Sequence, residues 1–266
     1  MTTQKALEDK LYRMRGRPSY RTALSLVAQL TKHTTWSTLD YSTVDGYRWR
    51  RAITDSAENS TVNREVGFLK AACREAGITF PSLIKKLTEN PRTRVLSKSE
   101  FNAILDKLPP WPRDLAIVLV GTGMRIGEAL TVDPVNIKLR SASGVRITVV
   151  NPKEGQDKVV FGGIKAWAAA NRLYRAGAGL KRAGSTAKAD YEIFRYHLTR
   201  AAKSAGIEPV TAHDLRRTFG SWALDAGATL EQVAQCLGHR SVETTRRCYG
   251  RIDPSVRARV AALVLP

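Results

Sequence analysis

The chain contains 266 residues, with 43 Lys or Arg against 24 Asp or Glu, so its formal net charge is +19. Because 43% of the residues are hydrophobic, the chain can bury a core, which excludes a wholly disordered basic protein. The longest apolar run near the centre, Leu115–Val120, is far shorter than a membrane-spanning helix. The N-terminal residues lack the pattern of a secretion signal, and the three cysteines form no CxxC pair. We therefore expect a cytoplasmic protein without a metal site, another cofactor or a membrane partner.

The excess of positive charge indicates a polyanionic partner, of which nucleic acid is the commonest. Residues 1–95 carry a net charge of +8 and residues 96–266 carry +11, so we expect the polyanion to contact both parts of the chain. A merely basic surface is the alternative. Binding to a membrane surface is less favoured, because the basic residues are not gathered on one amphipathic segment.

The first 90 residues are predicted to form a helical domain. Helices are expected over residues 19–31, 43–53, 60–76 and 81–87. The helix over 60–76 is the clearest, since its apolar residues fall on one face: Val62, Val66, Leu69, Ala72 and Cys73. Residues 91–95, which contain a proline and two arginines, are predicted to be a linker.

A second domain is predicted over residues 96–253, followed by a tail over 254–266. Ser97 and Glu100 have the spacing of a capping box, which predicts a helix start. Three prolines should interrupt the chain before a second helix at 113–120. Further helices are expected over 125–130, 163–174, 188–204 and, with a glycine-rich break at 237–239, 211–249. Short strands are expected over 135–139, 145–150 and 158–161. The pattern predicts a mainly helical, α+β domain with one small antiparallel sheet.

The segment Gly121–Glu128 combines two glycines, a predicted helix start and an arginine, Arg125. Such an arrangement suits an anion, because amide groups and a guanidinium can point at the same oxygens. Alone, the segment fits a glycine-bracketed turn with a solvated arginine equally well.

His213 and Arg216 lie three residues apart on a predicted helix and therefore share a face. An imidazole and a guanidinium on one face can handle a proton and a phosphate oxygen together, although an exposed basic helix also explains the pair. The Leu-Gly-His segment that ends at His239, Tyr249 ten residues later, and Lys153 in a predicted hairpin turn are the remaining candidates.

In this order the segments resemble the tyrosine recombinase (phage integrase) family. GTGMRIGEAL is similar to the first arginine box of that family, and TAHDLRRTFGSWALDAGATLEQVAQCLGHRSVETTRRCYG is similar to its second box and nucleophile segment. STVNREVGFLKAACREAGI resembles the helix that lies on DNA in the family's core-binding domain. The resemblance implies a helical, SAM-like N-terminal domain and a helix-rich catalytic domain with a three-stranded antiparallel sheet.

The resemblance also implies site-specific strand transfer on double-stranded DNA without a metal ion or cofactor, as in integration or excision of a phage or another mobile element. Tyr249 would be the nucleophile that forms a 3′-phosphotyrosine bond. Arg125 and Arg216 would clamp the phosphate. His213 would be the base.

The lysine of the family's β-hairpin corresponds to Lys153, which would protonate the departing 5′-oxygen. Lys158 is its rival, but we expect it to begin the outgoing strand. Glu128 falls at the acidic position of the first box and would support Arg125 or its helix. A solvated helix carboxylate is the alternative for Glu128.

His239 would hydrogen-bond the phosphate or orient the tyrosine. Family members often carry the tyrosine nine residues after this histidine, where this chain has Cys248. One extra residue would rotate a helical side chain by roughly 100°. A one-residue adjustment in the loop before the helix would absorb that rotation, so Tyr249 is retained as the nucleophile.

Recombination joins two duplexes, so the resemblance implies a homotetramer on DNA, with accessory DNA-bending proteins as further partners. The tail over 254–266 would dock on a neighbouring protomer, with an ordinary terminal helix as the alternative. No room is expected for the additional N-terminal domain of larger phage integrases. Candidate DNA contacts in the N-terminal domain are Arg48, Arg50, Arg51, Arg64 and Lys70.

Two other functions remain open at this point. A type IB topoisomerase uses similar residues to nick and reseal one strand. A DNA-binding regulator without cleavage activity would need the six motif residues to be coincidental.

Overall fold

A computed structural model describes residues 40–75, 79–90, 92–140, 144–150, 157–239 and 241–249. The chain divides into two compact units, Met1–Pro91 and Arg92–Pro266. The helix predicted over 19–31 and the tail over 254–266 lie outside the described residues. Helices and strands are numbered below in chain order within the described part. No helix in this part is long and apolar enough to cross a membrane.

The described part of the first unit contains two helices. α1 (Tyr41–Trp49) continues into a π-helical turn over Arg50–Thr54, and α2 spans Asn59–Glu75. The helices predicted over 43–53 and 60–76 are thereby confirmed. The buried apolar residues of the two helices are Val44, Tyr47, Val62, Leu69 and Cys73.

The prediction of a helix over residues 81–87 was wrong. The segment carries a turn near Ser82–Leu83 and no helix. The side-chain amide of Asn63 donates to the Leu87 carbonyl and accepts from the Leu87 N–H, both at 2.8 Å. A side chain of α2 therefore satisfies the backbone groups of Leu87, which need no partner within a helix.

The second unit is predominantly helical. Its central helix is α4, whose Leu115, Val118 and Leu119 are fully buried, and it packs against α6 and α8. The helices are α3 (Lys98–Lys107), α4 (Pro110–Thr122), α5 (Ile126–Thr131), α6 (Ile164–Leu173), α7 (Ala187–Ser204), α8 (Ala212–Asp225), α9 (Leu230–Leu237) and α10 (Val242–Tyr249).

Two helix starts show how the local sequence acts. Ser97 caps α3 and forms the predicted capping box with Glu100. α4 begins at Pro110, earlier than the predicted 113, and carries Pro112 in its first turn. The first N–H groups of a helix have no partner inside it, so prolines are tolerated there and begin this helix rather than interrupt it.

Three antiparallel strands form one sheet in the order β1 (Ile137–Arg140), β2 (Gly144–Val149) and β3 (Lys158–Gly162). Ile147 of the central strand lies opposite Ile137 and Val160, and all three are buried. β2 packs on α6. The predicted mainly helical α+β class with a three-stranded antiparallel sheet is confirmed.

α4 ends at a glycine that no other residue can replace without strain. Gly123 adopts the left-handed conformation, with φ of 67°, and a Cβ built on it would lie 2.5 Å from Phe219. Gly127, four residues further on, lies in α5, and a Cβ there would meet nothing within 4 Å.

We predict that Gly123→Ala lowers the free energy of unfolding by about 2 kcal/mol or more, because backbone strain and the clash with Phe219 add. Gly127→Ala is the matched control, and it should raise the free energy of unfolding by up to about 1 kcal/mol, since alanine favours a helix. Urea unfolding of both variants measures the difference, and equal effects would contradict the prediction.

Candidate active site

The first arginine box places Arg125 at the N-terminus of α5. The Arg125 N–H donates to Glu128 Oε2 at 2.9 Å, and its guanidinium donates to Glu128 Oε1 at 2.7 Å. The carboxylate therefore holds both the backbone and the side chain of Arg125. The Arg125 side chain is nevertheless 42% exposed, so its guanidinium faces solvent.

Glu128 also accepts from Lys158, the first residue of β3, at 3.2 Å. Burial alone would raise the pKa of Glu128, but the Lys158 ammonium and the Arg125 N–H groups bring that pKa below its ordinary value. The carboxylate thus stays ionised between two cations, as the prediction of a supporting role requires. The alternative, a solvated helix carboxylate, does not fit its 13% exposure.

The second arginine box forms the start of α8. Thr211 caps this helix in a reciprocal capping box with Asp214, which is fully buried. The Asp214 carboxylate also accepts from Arg217 and from Arg92. Arg92 further donates to the Pro209 carbonyl, so the part of the predicted linker that begins at Arg92 is fixed against this helix start.

Arg216 is the buried cation of the site, with 2% of the residue exposed. Its guanidinium donates to the Gly123 carbonyl at 2.8 Å and to the Leu237 carbonyl at 2.6 Å. One carbonyl belongs to the end of α4 and the other to the end of α9. A single side chain therefore joins the first arginine box to the Leu-Gly-His segment.

His239 follows Gly238, which ends α9 in the left-handed conformation with φ of 66°. The His239 Nδ1 lies 2.8 Å from the hydroxyl of Thr245, a fully buried residue of α10. This contact fixes the plane of the imidazole. A Cβ built on Gly238 would lie 2.9 Å from the side chain of Lys158, so the glycine lets the lysine pass close to the turn.

The charges of these groups converge on His239. Burial, followed by Arg216 and Arg125, lowers the pKa of His239 to about 4. The His213 ring lies at the surface of α8, and partial desolvation, followed by Arg217 and Arg216, lowers its pKa as well. Because Arg216 donates to the ends of both α4 and α9, the two arginine boxes and the Leu-Gly-His turn lie together and form one cationic pocket.

Arg125, Glu128, Arg216 and His239 lie in this pocket, and His213 lies three residues before Arg216 at the start of α8. Lys153 lies outside the described residues. Tyr249 is the last residue of α10, and its side chain is not among those described. The roles assigned to these residues stay predictions.

Lys158 lies in the pocket, although the sequence analysis preferred Lys153 and expected Lys158 to begin the outgoing strand. β3 alternates between outward and inward positions, and Lys158 shares the inward face with Val160 and Gly162. Its side chain is only 14% exposed. A lysine on the inward face of a strand was the available signal, because such a charge needs a buried partner.

The candidate DNA contacts of the first unit differ in their surroundings. Arg51 is bound by the buried Glu65 and by Asp55, and its side chain is 14% exposed. Arg51 therefore contributes to the packing of this unit, and its contact with DNA stays a prediction. Arg48 pairs with Asp45. The other three candidates are exposed: Arg50, Arg64 and Lys70.

The described residues contain no group of three or more His, Cys, Asp or Glu placed to hold a metal ion. The described free cysteines are Cys73 and Cys236.

Solved structures share this fold. The Tn1549 transposon integrase in complex with transposon right end DNA is 18% identical with a TM-score of 0.78, covering 100% of this chain and 99% of that one. A lambda integrase dimer bound to a core site is 16% identical with a TM-score of 0.74, covering 95% of this chain and 79% of that one. At these identities the likeness shows the fold alone.

The sequence model of the phage integrase family matches residues 94–255, and the chain belongs to this family. Tyrosine recombinase XerD of Ralstonia nicotianae is 28% identical over 264 residues, covering 90% of this chain and 84% of the relative. Tyrosine recombinase XerC of Bifidobacterium longum is 28% identical over 170 residues, covering 58% of this chain. That match spans 44% of the relative, less than half of its length.

We predict that the His239 ring stays neutral at pH 5.5, where an ordinary histidine with a pKa of about 6.5 is mostly protonated. Arg125→Gln removes a nearby cation and should raise the pKa of His239. Because the folded pKa lies below the unfolded one, the stability linked to this ring is present above about pH 6.5 and is lost as the pH falls towards 4. The chemical shifts of the ring nitrogens in an NMR titration give the pKa of His239 in the unaltered protein and in Arg125→Gln. A midpoint near pH 6.5 in the unaltered protein would contradict the convergence of cations on His239.

Proposed function

We propose that the protein is a site-specific DNA recombinase or integrase that cleaves and rejoins strands through a 3′-phosphotyrosine intermediate at Tyr249. The observation that carries this proposal is the buried Arg216, which joins the first arginine box to the Leu-Gly-His turn. Family membership supports it. The proteins named above are recombinases and integrases, which favours this function over a type IB topoisomerase or a regulator without cleavage activity.

The two arginines supply the charge that phosphoryl transfer needs. Attack on a phosphodiester places additional negative charge on the non-bridging oxygens in the transition state. Guanidiniums close to the phosphate stabilise that charge. Arg216 is held by two carbonyls, and Arg125 is held by Glu128 while remaining half exposed. We expect loss of either guanidinium to slow cleavage by roughly 100-fold or more.

Proton transfers complete the step. The Tyr249 oxygen attacks phosphorus, the bond from phosphorus to the 5′-oxygen breaks, and the phenolic proton passes to His213. The lowered pKa of His213 keeps its ring neutral and able to accept that proton. Lys153 gives a proton to the departing 5′-oxygen. The products are a 3′-phosphotyrosine and a 5′-hydroxyl, and a partner strand's 5′-hydroxyl reverses the step.

Strand exchange between two duplexes needs four protomers, so we propose a homotetramer on double-stranded DNA, with DNA-bending proteins as accessory partners. The residues over 254–266 would dock on a neighbouring protomer. We place the protein in the cytoplasm, where it would meet chromosomal or mobile-element DNA.

We predict an SDS-resistant protein–DNA adduct when the protein is incubated with a nicked half-site made from DNA that it selects out of genomic fragments. The adduct should form in the presence of a chelator. Tyr249→Phe should abolish it while DNA binding persists, because the attacking oxygen is lost. Tyr196→Phe is the matched control, since this tyrosine of α7 is exposed and its hydroxyl accepts a hydrogen bond from Arg200. An adduct in the Tyr249→Phe variant would contradict the assignment.

We predict that Arg50→Gln and Arg64→Gln each reduce the slope of log affinity against log salt concentration by about 0.9, the value for one phosphate contact. Their melting temperatures should not change, because both side chains are exposed. Arg51→Gln should instead lower the free energy of unfolding by on the order of 3 kcal/mol, because the buried Glu65 loses its cation. Unchanged salt slopes in the first two variants would rule out these contacts.

A further inference from the structure

Lys158 lies between the first arginine box and the turn that carries His239. Its Nζ donates to Glu128 Oε2, the same oxygen that accepts the Arg125 N–H. Its stem passes Gly238, where a Cβ would come within 2.9 Å of the Lys158 Cδ. The side chain therefore contacts the carboxylate of the first arginine box and the backbone of the turn that carries His239.

The charges around Glu128 are unequal in their exposure. Lys158 is 14% exposed and Glu128 is 13% exposed, whereas Arg125 is 42% exposed. An anion that enters from solvent therefore meets the Arg125 guanidinium first, whereas the Lys158 ammonium already has Glu128 as its acceptor. Glu128 competes with such an anion for the Arg125 guanidinium, because both are negatively charged acceptors.

We propose that Lys158 is a positioning residue that serves as the permanent counter-ion of Glu128, so that Arg125 can exchange this carboxylate for the scissile phosphate. This inference rests on the proposed function. When Arg125 turns to the phosphate, Lys158 keeps the buried carboxylate paired. Without the ammonium, Glu128 would be left with Arg125 as its only cation among the contacts described, and it would hold that arginine back. Lys158 does not supply the proton in this scheme, since its ammonium is bound to Glu128 and enclosed.

The side-chain packing also points to a positioning role. The methylene stem of Lys158 fills the space that the absent side chain of Gly238 leaves. Methionine would keep most of that stem and remove the charge. Arginine would keep the charge. These two substitutions separate the electrostatic contribution from the packing contribution.

The test measures single-turnover formation of the covalent adduct on two half-sites. One has the natural bridging 5′-oxygen at the scissile position and the other has a bridging 5′-sulfur. A thiolate leaves without a proton because a thiol has a pKa of about 8.5, so the sulfur substrate restores cleavage only where a proton donor has been lost.

We predict that Lys158→Met slows adduct formation by roughly 10–100-fold, the range typical of residues that orient a functional group, and by the same factor on both substrates. Lys158→Arg should retain most of the rate. Lys153→Ala should be slow on the oxygen substrate and restored on the sulfur substrate. Restoration of Lys158→Met by sulfur, or an unchanged rate in this variant, would overturn the proposal.

The double variant Lys158→Met, Glu128→Gln provides a second test, because it removes the buried carboxylate together with its ammonium counter-ion. It should cleave faster than Lys158→Met alone, since the acceptor that competes for Arg125 has lost its charge. A double variant that is no faster would overturn the role of counter-ion. If the unaltered protein forms no adduct on either substrate, the proposed function fails, and that outcome is distinct from these.

Discussion

The pocket depends on one buried ionic side chain. The guanidinium of Arg216 is removed from water and donates to carbonyls at the ends of two helices, α4 and α9. A buried cation is costly unless its donors are matched, and main-chain carbonyls at helix C-termini are well suited because they carry the negative end of the helix dipole. The turn at Gly123 and the turn before Gly238 must therefore stay where they are, and Arg125 and His239 follow directly after those turns.

Around this cation the pocket separates two kinds of charge. Arg216 and Lys158 are enclosed and their positions are set by the fold, whereas Arg125 faces solvent and is held by a neighbouring carboxylate. The imidazoles of His213 and His239 have lowered pKa values and stay neutral beside these cations. Two enclosed cations beside the exposed Arg125 suit an anionic ligand that arrives from solvent, as a DNA phosphate does.

Much of this arrangement is predictable from the sequence. The capping box at Ser97, the apolar face of residues 60–76 and the glycine break near residue 238 act through neighbouring residues, so local patterns suffice for them. The arginine boxes could be located because their residue types and order are distinctive.

Other features depend on contacts between distant segments, which local patterns do not contain. Residues 81–87 have helical propensity, but the backbone of Leu87 is hydrogen-bonded to the Asn63 side chain of α2. Arg51 has the appearance of a surface cation until Glu65 is brought next to it. Lys158 carried a usable signal in its inward position on β3, but its partner Glu128 lies thirty residues earlier.

The start of α8 has a structural consequence. Asp214 accepts from Arg92, the first residue of the second unit, and immediately follows His213 in the chain. The beginning of the second unit is thus anchored to the same helical turn that carries the imidazole. Loss of the Arg92 guanidinium would leave the buried Asp214 with one cation fewer, and the residue next to it in the chain is His213.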